Sequence, residues 1–495
     1  MIFENTYKSL PEKFYSETVA PRFPSPSLIK FNEDLAKELG LNYEEYSPQD
    51  LADIFSAQKV LPTSKPISMA YAAHQFGHFV PQLGDGRAML LGEVVNGNEE
   101  RYDIHLKGSG ETAYSRNGDG RSAIGPVIRE YLVSEAMHKL GVPTTRALAA
   151  VSTGESVYRD GQVPGAVFAR VAKAHIRIGT FQYFAAREDT EALEILLDYS
   201  IERLYPSINE KIDQKGKTAE SAILFFKEVI TSQVSLVSQW MSIGFIHGVM
   251  NTDNTAISGE TIDYGPCAFM DKFNADQVYS FIDKNGRYAY NNQKSILIWN
   301  LSRLAECLIP LIDPDIEVSK EILIDALKPV EKLFEEKWTS KMIKKFGLVH
   351  DKSNHNQDKL LIETWLNYLQ DQQLDFTLGF RNLPDLLTDD KENEQNFYKP
   401  TPQLKNFLTT WRERISQQSQ SSSDIIEMMN NENPLYIPRN HKIEEVIVEC
   451  IKGNYDNFEK MNKVLSNPYI FQEGMDEFIN PPTPEEEIEA TFCGT

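Results

Sequence analysis

Cysteine is scarce in this chain: four in 495 residues (Cys267, Cys307, Cys450 and Cys493), at no spacing that suits a metal. So thin a supply argues against a disulfide framework, points to a reducing compartment and makes a zinc site unexpected. Positive charge is short as well. Fifty Lys and Arg face 72 Asp and Glu, a formal net charge of −22, which argues against general affinity for nucleic-acid backbones or anionic membranes and leaves only local basic sites open. No apolar run approaches the roughly 20 residues that span a bilayer. The opening "MIFENTYKSLPEKFYSE" lacks both the apolar core of a signal peptide and the Arg-rich character of a transit peptide. The expectation is a cytoplasmic monomer with no nucleic-acid or membrane partner. Repeats are missing too. The one low-complexity patch, "SQQSQSSSD" at Ser416 to Asp424, reads as a flexible surface loop, and the acidic "NPPTPEEEIEATFCGT" reads as a mobile tail.

What is present is length enough for two lobes, each with its own core. In the first part of the chain, strand-like runs alternate with Gly-rich turns: "RAMLLGEVV", "RYDIHLKG", "RALAAVST" and "GAVFARVA". A helical pattern lies between the second and third. From about Thr180 apolar residues recur at helical intervals, as in "ILIWNLSRLAECLIPLI" and "SKEILIDALKPVEKLFEEKWTSKMIKKFG". The fold class expected is α+β, a strand-rich N-lobe (residues 1–180) on a large helical C-lobe (181–480), followed by the tail (481–495).

One stretch interrupts the helical half. "FIHGVMNTDNTAISGETIDYGP", Phe245 to Pro266, has the register of a phosphotransferase catalytic loop: His247, Gly248, Asn254 in eighth place, and Asp263-Tyr264-Gly265 downstream. The third place, where an acid belongs, is Val249, and an acid stands instead at Asp253. Asn254 and Asp263 offer the oxygen ligands that Mg²⁺ or Mn²⁺ accepts, and Asp253 offers a carboxylate to orient or deprotonate a hydroxyl. The plainer reading is an Asx-rich turn. His247 reads as a residue that ties the loop down.

Further residues suit polyphosphate. Lys107 ends a strand, and Glu130 on the helix "SAIGPVIREYLVSEAMHKLG" is its candidate partner, with Glu135 a competitor; Val127, Tyr131, Ser134 and Met137 form that helix's apolar stripe. Gly84 and Gly86 make a tight turn beside Arg87, read either as a backbone cradle or as a plain hairpin. Asp119 and Gly120 sit in a Gly- and Ser-rich loop that suits phosphate or mere flexibility. Arg170 and Arg177 offer permanently charged, bidentate donors, or two ordinary ion pairs.

Together these motifs resemble the selenoprotein O family of kinase-fold protein adenylyltransferases. The resemblance runs through "AYAAHQFGHFVPQLGDGRAMLLGE", "HLKGSGETAYSRNGDGRSAIGPVIREYLVSEAMHKLGVPTTRAL", "FARVAKAHIRIGTFQ", "GFIHGVMNTDNTAISGETIDYGPCAFMD" and "NPLYIPRNH". It implies a protein-kinase-like bilobal fold that binds ATP in a flipped orientation and transfers AMP to Ser, Thr or Tyr hydroxyls of proteins, with UMP as a second nucleotide. It implies that Lys107, Arg170 and Arg177 contact the phosphates, with Gly84, Gly86, Arg87, Asp119 and Gly120 lining the nucleotide site. Glu130 would then partner Lys107, Asp253 would accept the proton, and Asn254 and Asp263 would hold Mg²⁺ or Mn²⁺. The rivals are an ordinary phosphotransferase and a silent nucleotide-binding scaffold, the latter favoured by Val249. The family also carries a selenocysteine or cysteine near its C-terminus, here Cys493. Where some relatives have a partner cysteine this chain has Tyr279, so redox control would need Cys267 or Cys307 instead.

Overall fold

The computed structural model describes residues 1–159, 161–212, 217–387 and 397–492. Its first part is built on an antiparallel sheet in the order Tyr15–Glu17, Ile67–Met69, Ala88–Val95, Arg101–Lys107, Gln162–Ala172, Arg146–Tyr158, Ser27–Phe31, with Ser122–Ala123 added beside Gln162–Ala172. All four strand-like runs form strands, as the alternation of their side chains requires. The α+β expectation therefore holds as a mixed molecule with an antiparallel sheet and many helices.

Period-two alternation gives the sheet two different faces. Ile104 and Leu106 point to one side and pack with Val167, Ala169, Val171, Leu51 and Phe55 in a core under the helices Glu33–Glu38 and Pro48–Phe55. Asp103, His105 and Lys107 point to the other, and Arg170 stands directly opposite His105 on the neighbouring strand. A sheet face with four buried charged or polar side chains is expensive unless each finds a partner. They do, and that face is the floor of the site.

The helix Ile124–Lys139 crosses this side. The stripe Val127, Tyr131, Ser134 and Met137 is buried, but so is nearly every other residue of the helix, so the one-faced expectation is too narrow. The reason lies far along the chain: the helices Asn440–Ile451 and Asp456–Leu465 pack against it, with Phe458 edge-on to Tyr131 and Ile447 at Gly125. A helix covered on all sides needs no polar face.

From Ile178 the described chain is helical apart from short ribbons and connections. The long apolar run 319–347 breaks into Ile316–Leu327 and Val330–Lys345 at Pro329, which can donate no backbone bond. One helical stretch, Thr218–Ser242, is long and apolar enough to cross a membrane by length and composition, contrary to the expectation that no run comes near this; most of it is buried against Gln293–Leu308 and Val330–Lys345.

Two further expectations are corrected. Within Ser416–Asp424 the surface loop is shorter than expected, residues 417–421: Ser416 ends the helix Pro402–Ser416, and Ser421 caps Ser422–Glu432 through reciprocal bonds with Asp424. The described part of the tail is docked. Thr491 pairs with Ser280, its backbone N–H donating to Tyr279 O at 2.7 Å and its hydroxyl to Pro266 O at 2.6 Å. Phe492 packs on Phe281, and Lys272 reaches Glu487. Cys493 lies outside the described residues.

Candidate active site

Lys107 leaves the end of its strand under the Ile124–Lys139 helix, and Glu130 Oε1 accepts from its Nζ at 2.5 Å. Glu135 is spoken for by Arg146, at 2.8 and 2.9 Å, and by the backbone N–H of Ala147. Lys107 Nζ also donates to Asp263 Oδ1 at 2.6 Å, and the same oxygen accepts from Arg170 Nη1 at 2.7 Å. Arg177 Nη2 stands 4.0 Å from Asp263 Oδ2 and 3.8 Å from Asp85 Oδ1, with its guanidinium over the Tyr71 ring. Burial pushes Asp263 toward the neutral form, but Arg170, Lys107 and Arg177 together hold it well below the usual carboxylate range. Its backbone is in the left-handed region at φ 64°, a conformation that costs free energy in a non-glycine residue and recurs at functional sites.

The sheet floor fixes the arginines. His105 Nδ1 accepts from Arg170 Nε at 3.3 Å, so the proton sits on Nε2 and is donated to Asp85 Oδ2 at 3.1 Å. Burial keeps His105 neutral. Burial would also raise Asp85, yet His105, Arg177 and the Met69 N–H outweigh it and lower its pKa to about 2. A second layer repeats the motif: His175 stacks on His105 at 4.3 Å, bonds Asp103, and Asp103 accepts from Arg203 at 2.6 Å.

The Phe245–Pro266 stretch hangs between two paired strands, Phe245–Ile246 and Ala268–Phe269. His247 ties it down as expected, fully buried, with Nε2 bonded to Ile262 O at 2.9 Å and Nδ1 accepting from the Val249 N–H. Gly248 has φ 77°, and a Cβ there would lie 2.7 Å from Pro266 O, so glycine is required. Asn251 Oδ1 accepts from the Tyr288 hydroxyl at 2.6 Å and from Phe76 N. Thr252 bonds Gln182, and Asn300 donates to Met250 O. A loop this heavily anchored presents its remaining atoms in fixed positions.

Those atoms are Asp253 and Asn254. Asp253 is buried; Gln75 Nε2 donates to its Oδ2 at 2.9 Å and its Oδ1 has no partner. Burial raises its pKa to about 6 despite Arg177 and Gln75. Asn254 Nδ2 is used on Val249 O at 2.9 Å, which turns the amide so that its oxygen is left for a ligand. Val249 lines the cleft at the place where the register calls for an acid.

The Gly84–Gly86 turn is not a hairpin: the strand that precedes Ala88–Val95 in chain order is His78–Val80, which pairs with Ala73–Gln75. Its glycines serve contact with the loop above. A Cβ on Gly84 would lie 2.3 Å from the Tyr114 ring, and one on Gly86 2.8 Å from Tyr114 O. Asp119 is held by Arg159 at 2.9 and 3.1 Å, and Arg121 by Glu155.

These elements enclose a cleft of about 510 Å³ that Gly84, Gly86, Arg87, Lys107, Asp119, Gly120, Glu130, Arg170, Arg177, Asp253, Asn254 and Asp263 all line. Residues absent from the sequence reading line it too, among them Asp85, Arg116, Arg159, Tyr71 and Gln75. The flanking glycines of Asp85 mark a special backbone, but nothing in the sequence pairs it with His105. Seven cationic side chains face five carboxylates here, on a chain of net charge −22. The cleft is a local basic site suited to a polyanion. Asn254 and Asp263 each have an oxygen that could ligate a hard divalent cation.

The chain is similar over its length to known proteins. The family model of the protein adenylyltransferase SelO matches residues 1–467. A protein nucleotidyltransferase YdiU of Rhizobium rhizogenes is 48% identical over 497 residues, covering 100% of this chain and 97% of the relative. One of Rhizobium johnstonii is 49% identical over 500 residues with the same coverage, and one of Agrobacterium fabrum 47% over 498, covering 100% of both. The chain belongs to the SelO family of protein adenylyltransferases and is a nucleotidyltransferase.

Proposed function

We propose that this protein transfers AMP from ATP to Ser, Thr or Tyr hydroxyls of proteins and releases pyrophosphate, with UMP as a second nucleotide. ATP lies flipped in a kinase-like cleft between a strand-rich N-lobe, residues 1–180, and a helical C-lobe, 181–480, with the α-phosphate toward the acceptor. The observation that carries this reading is the convergence of Lys107, Arg170 and Arg177 on Asp263, with Asp253 beside them holding an unpartnered oxygen. The acceptor oxygen bonds to the α-phosphorus while the bond from that phosphorus to the bridging oxygen of the leaving pyrophosphate breaks. The hydroxyl proton passes to Asp253 Oδ1, whose pKa of about 6 suits a base working near neutral pH.

Pyrophosphate leaves with several negative charges, which Arg170, Arg177 and Lys107 are placed to stabilise from a preorganised, buried position. Glu130 holds the lysine extended. Gly84, Gly86, Arg87, Asp119 and Gly120 line the rest of the nucleotide site. Asn254 and Asp263 would hold Mg²⁺ or Mn²⁺, which neutralises phosphate charge when bound. A monomer acting in the cytoplasm completes the proposal.

Incubation with ATP labelled at the α- or γ-phosphate tests it. Retained α-label on protein is the expected result. Retained γ-label alone makes the protein a phosphotransferase, and no labelling with either metal makes it a silent scaffold, as Val249 in place of the usual acid would suggest.

A further inference from the structure

The wall of the cleft beside Asp253 continues onto a surface that the nucleotide reading does not use. Gln75 bonds Asp253, Phe76 packs on Tyr288 at 5.2 Å, and the backbone of Gly77 lies against Arg287, whose Cζ would be 3.6 Å from a Cβ there. Arg287 stacks on Trp299 at 4.6 Å from the other direction, and Arg303 covers the same ring at 5.0 Å. Asp283 does not neutralise Arg287: its carboxylate accepts from the backbone N–H groups of Arg287 and Tyr288, at 2.9 and 2.7 Å. Arg287 Nε and Nη2 and Arg303 Nε are buried without a hydrogen-bond partner, and among the described residues no carboxylate forms an ion pair with Arg287. Arg303 is only partly engaged, by Glu306.

Arg287 and Arg303 are only partly buried, so their charge reaches the surface although these three nitrogens do not, and a guanidinium held against an aromatic ring with no internal carboxylate to neutralise it attracts carboxylates there. In a chain with 22 more acids than bases, a pair of arginines left without full partners is unlike the surface ion pairs elsewhere. We propose that Arg287 and Arg303, braced by Trp299, bind Asp or Glu side chains next to the acceptor hydroxyl, so that the protein substrates are modified in acidic segments. This rests on the adenylyl-transfer reading for its acceptor, and on the position of the arginines for its chemistry. The acidic segment enters past Gly77, its hydroxyl reaches Asp253, and its carboxylates fall on the arginine pair.

The test uses three fluorescent peptides of equal length, each with one Ser and one Tyr, flanked by Glu, Ala or Lys. Binding to the full chain is measured with a non-hydrolysable ATP analogue and Mn²⁺, and AMP transfer is then measured with α-labelled ATP. The Glu peptide is expected to bind at least about tenfold tighter than the Lys peptide. Arg287→Ala removes that preference, Arg287→Lys retains part of it, and Arg287→Glu inverts it, all with unchanged affinity for the ATP analogue, which also reports an intact fold. Equal binding of the three peptides overturns the proposal, as does loss of preference only together with nucleotide affinity. Selective binding without α-label transfer leaves the acid-binding surface standing and defeats the adenylyl reading instead.

Discussion

Around Lys107, Arg170 and Asp263 each charge has an opposite charge within hydrogen-bond distance, whereas around Asp253 and Arg287 the buried Oδ1, Nε and Nη2 atoms have none. Arg177 stands at the border, stacked on Tyr71 with its own Nε unpartnered. The first region holds its cations in place with internal counter-charges, so an arriving phosphate exchanges one anionic partner for another and no side chain must be ordered at that moment. The second carries the cost of unsatisfied groups, about 1–3 kcal/mol for each buried polar atom. On the proposed reading, the nucleotide side is paired before ATP arrives and the acceptor side is not.

The hardest test of that contrast is Asp263→Ala, which leaves Lys107 and Arg170 without their shared partner and removes a proposed metal ligand. α-Label transfer is expected to fall by about 10³-fold or more, with weaker ATP binding in calorimetry. Asp253→Asn breaks the other side. Transfer falls by about 10²–10³-fold with ATP affinity kept, and the pH–rate profile loses its rise through pH about 6, because the carboxylate is the active form and forms above that pKa. A buried carboxyl with a raised pKa stabilises the fold relative to its ionised form only while protonated, so the cost appears as pH climbs through about 6. Asp253→Asn is therefore also expected to stabilise the protein at pH 8, by up to about 3 kcal/mol, and to change little at pH 4; urea unfolding at both values checks it.

His105→Gln sharpens the comparison. The amide can still accept from Arg170 or donate to Asp85, but not with ring geometry, and a rise of about three- to tenfold in KM for ATP is expected from a misplaced guanidinium. The smallest effect belongs to the docked tail. Thr491→Val keeps shape and loses the bond to Pro266 O, so a loss of about 1 kcal/mol in unfolding free energy is expected, with transfer nearly unchanged.

Much of the cleft's lining was legible in the sequence because its residues sit in motifs of characteristic spacing. The alternation in "RYDIHLKG" already puts Asp103, His105 and Lys107 on one face, and the Asn254–Asp263 spacing belongs to a loop with known demands. Choosing Glu130 over Glu135 needed the third dimension, where Arg146 claims the latter. What stayed hidden depends on pairings between distant segments: Asp85 with His105, Gln75 with Asp253, Arg287 with Gly77, and the helices after Asn440 that bury the outer side of Ile124–Lys139. Composition misled where a few specific hydrogen bonds overrode it. The acidic tail is held by Thr491, and the serine patch at 416–424 supplies a helix cap.

The central claim is the direction in which the nucleotide lies, and a structure of the protein with a non-hydrolysable ATP analogue and Mn²⁺ reads it directly. The account predicts the α-phosphorus nearest Asp253, with the β- and γ-phosphates among Lys107, Arg170 and Arg177. A γ-phosphorus facing Asp253, with the α-phosphate buried behind it, would contradict the account.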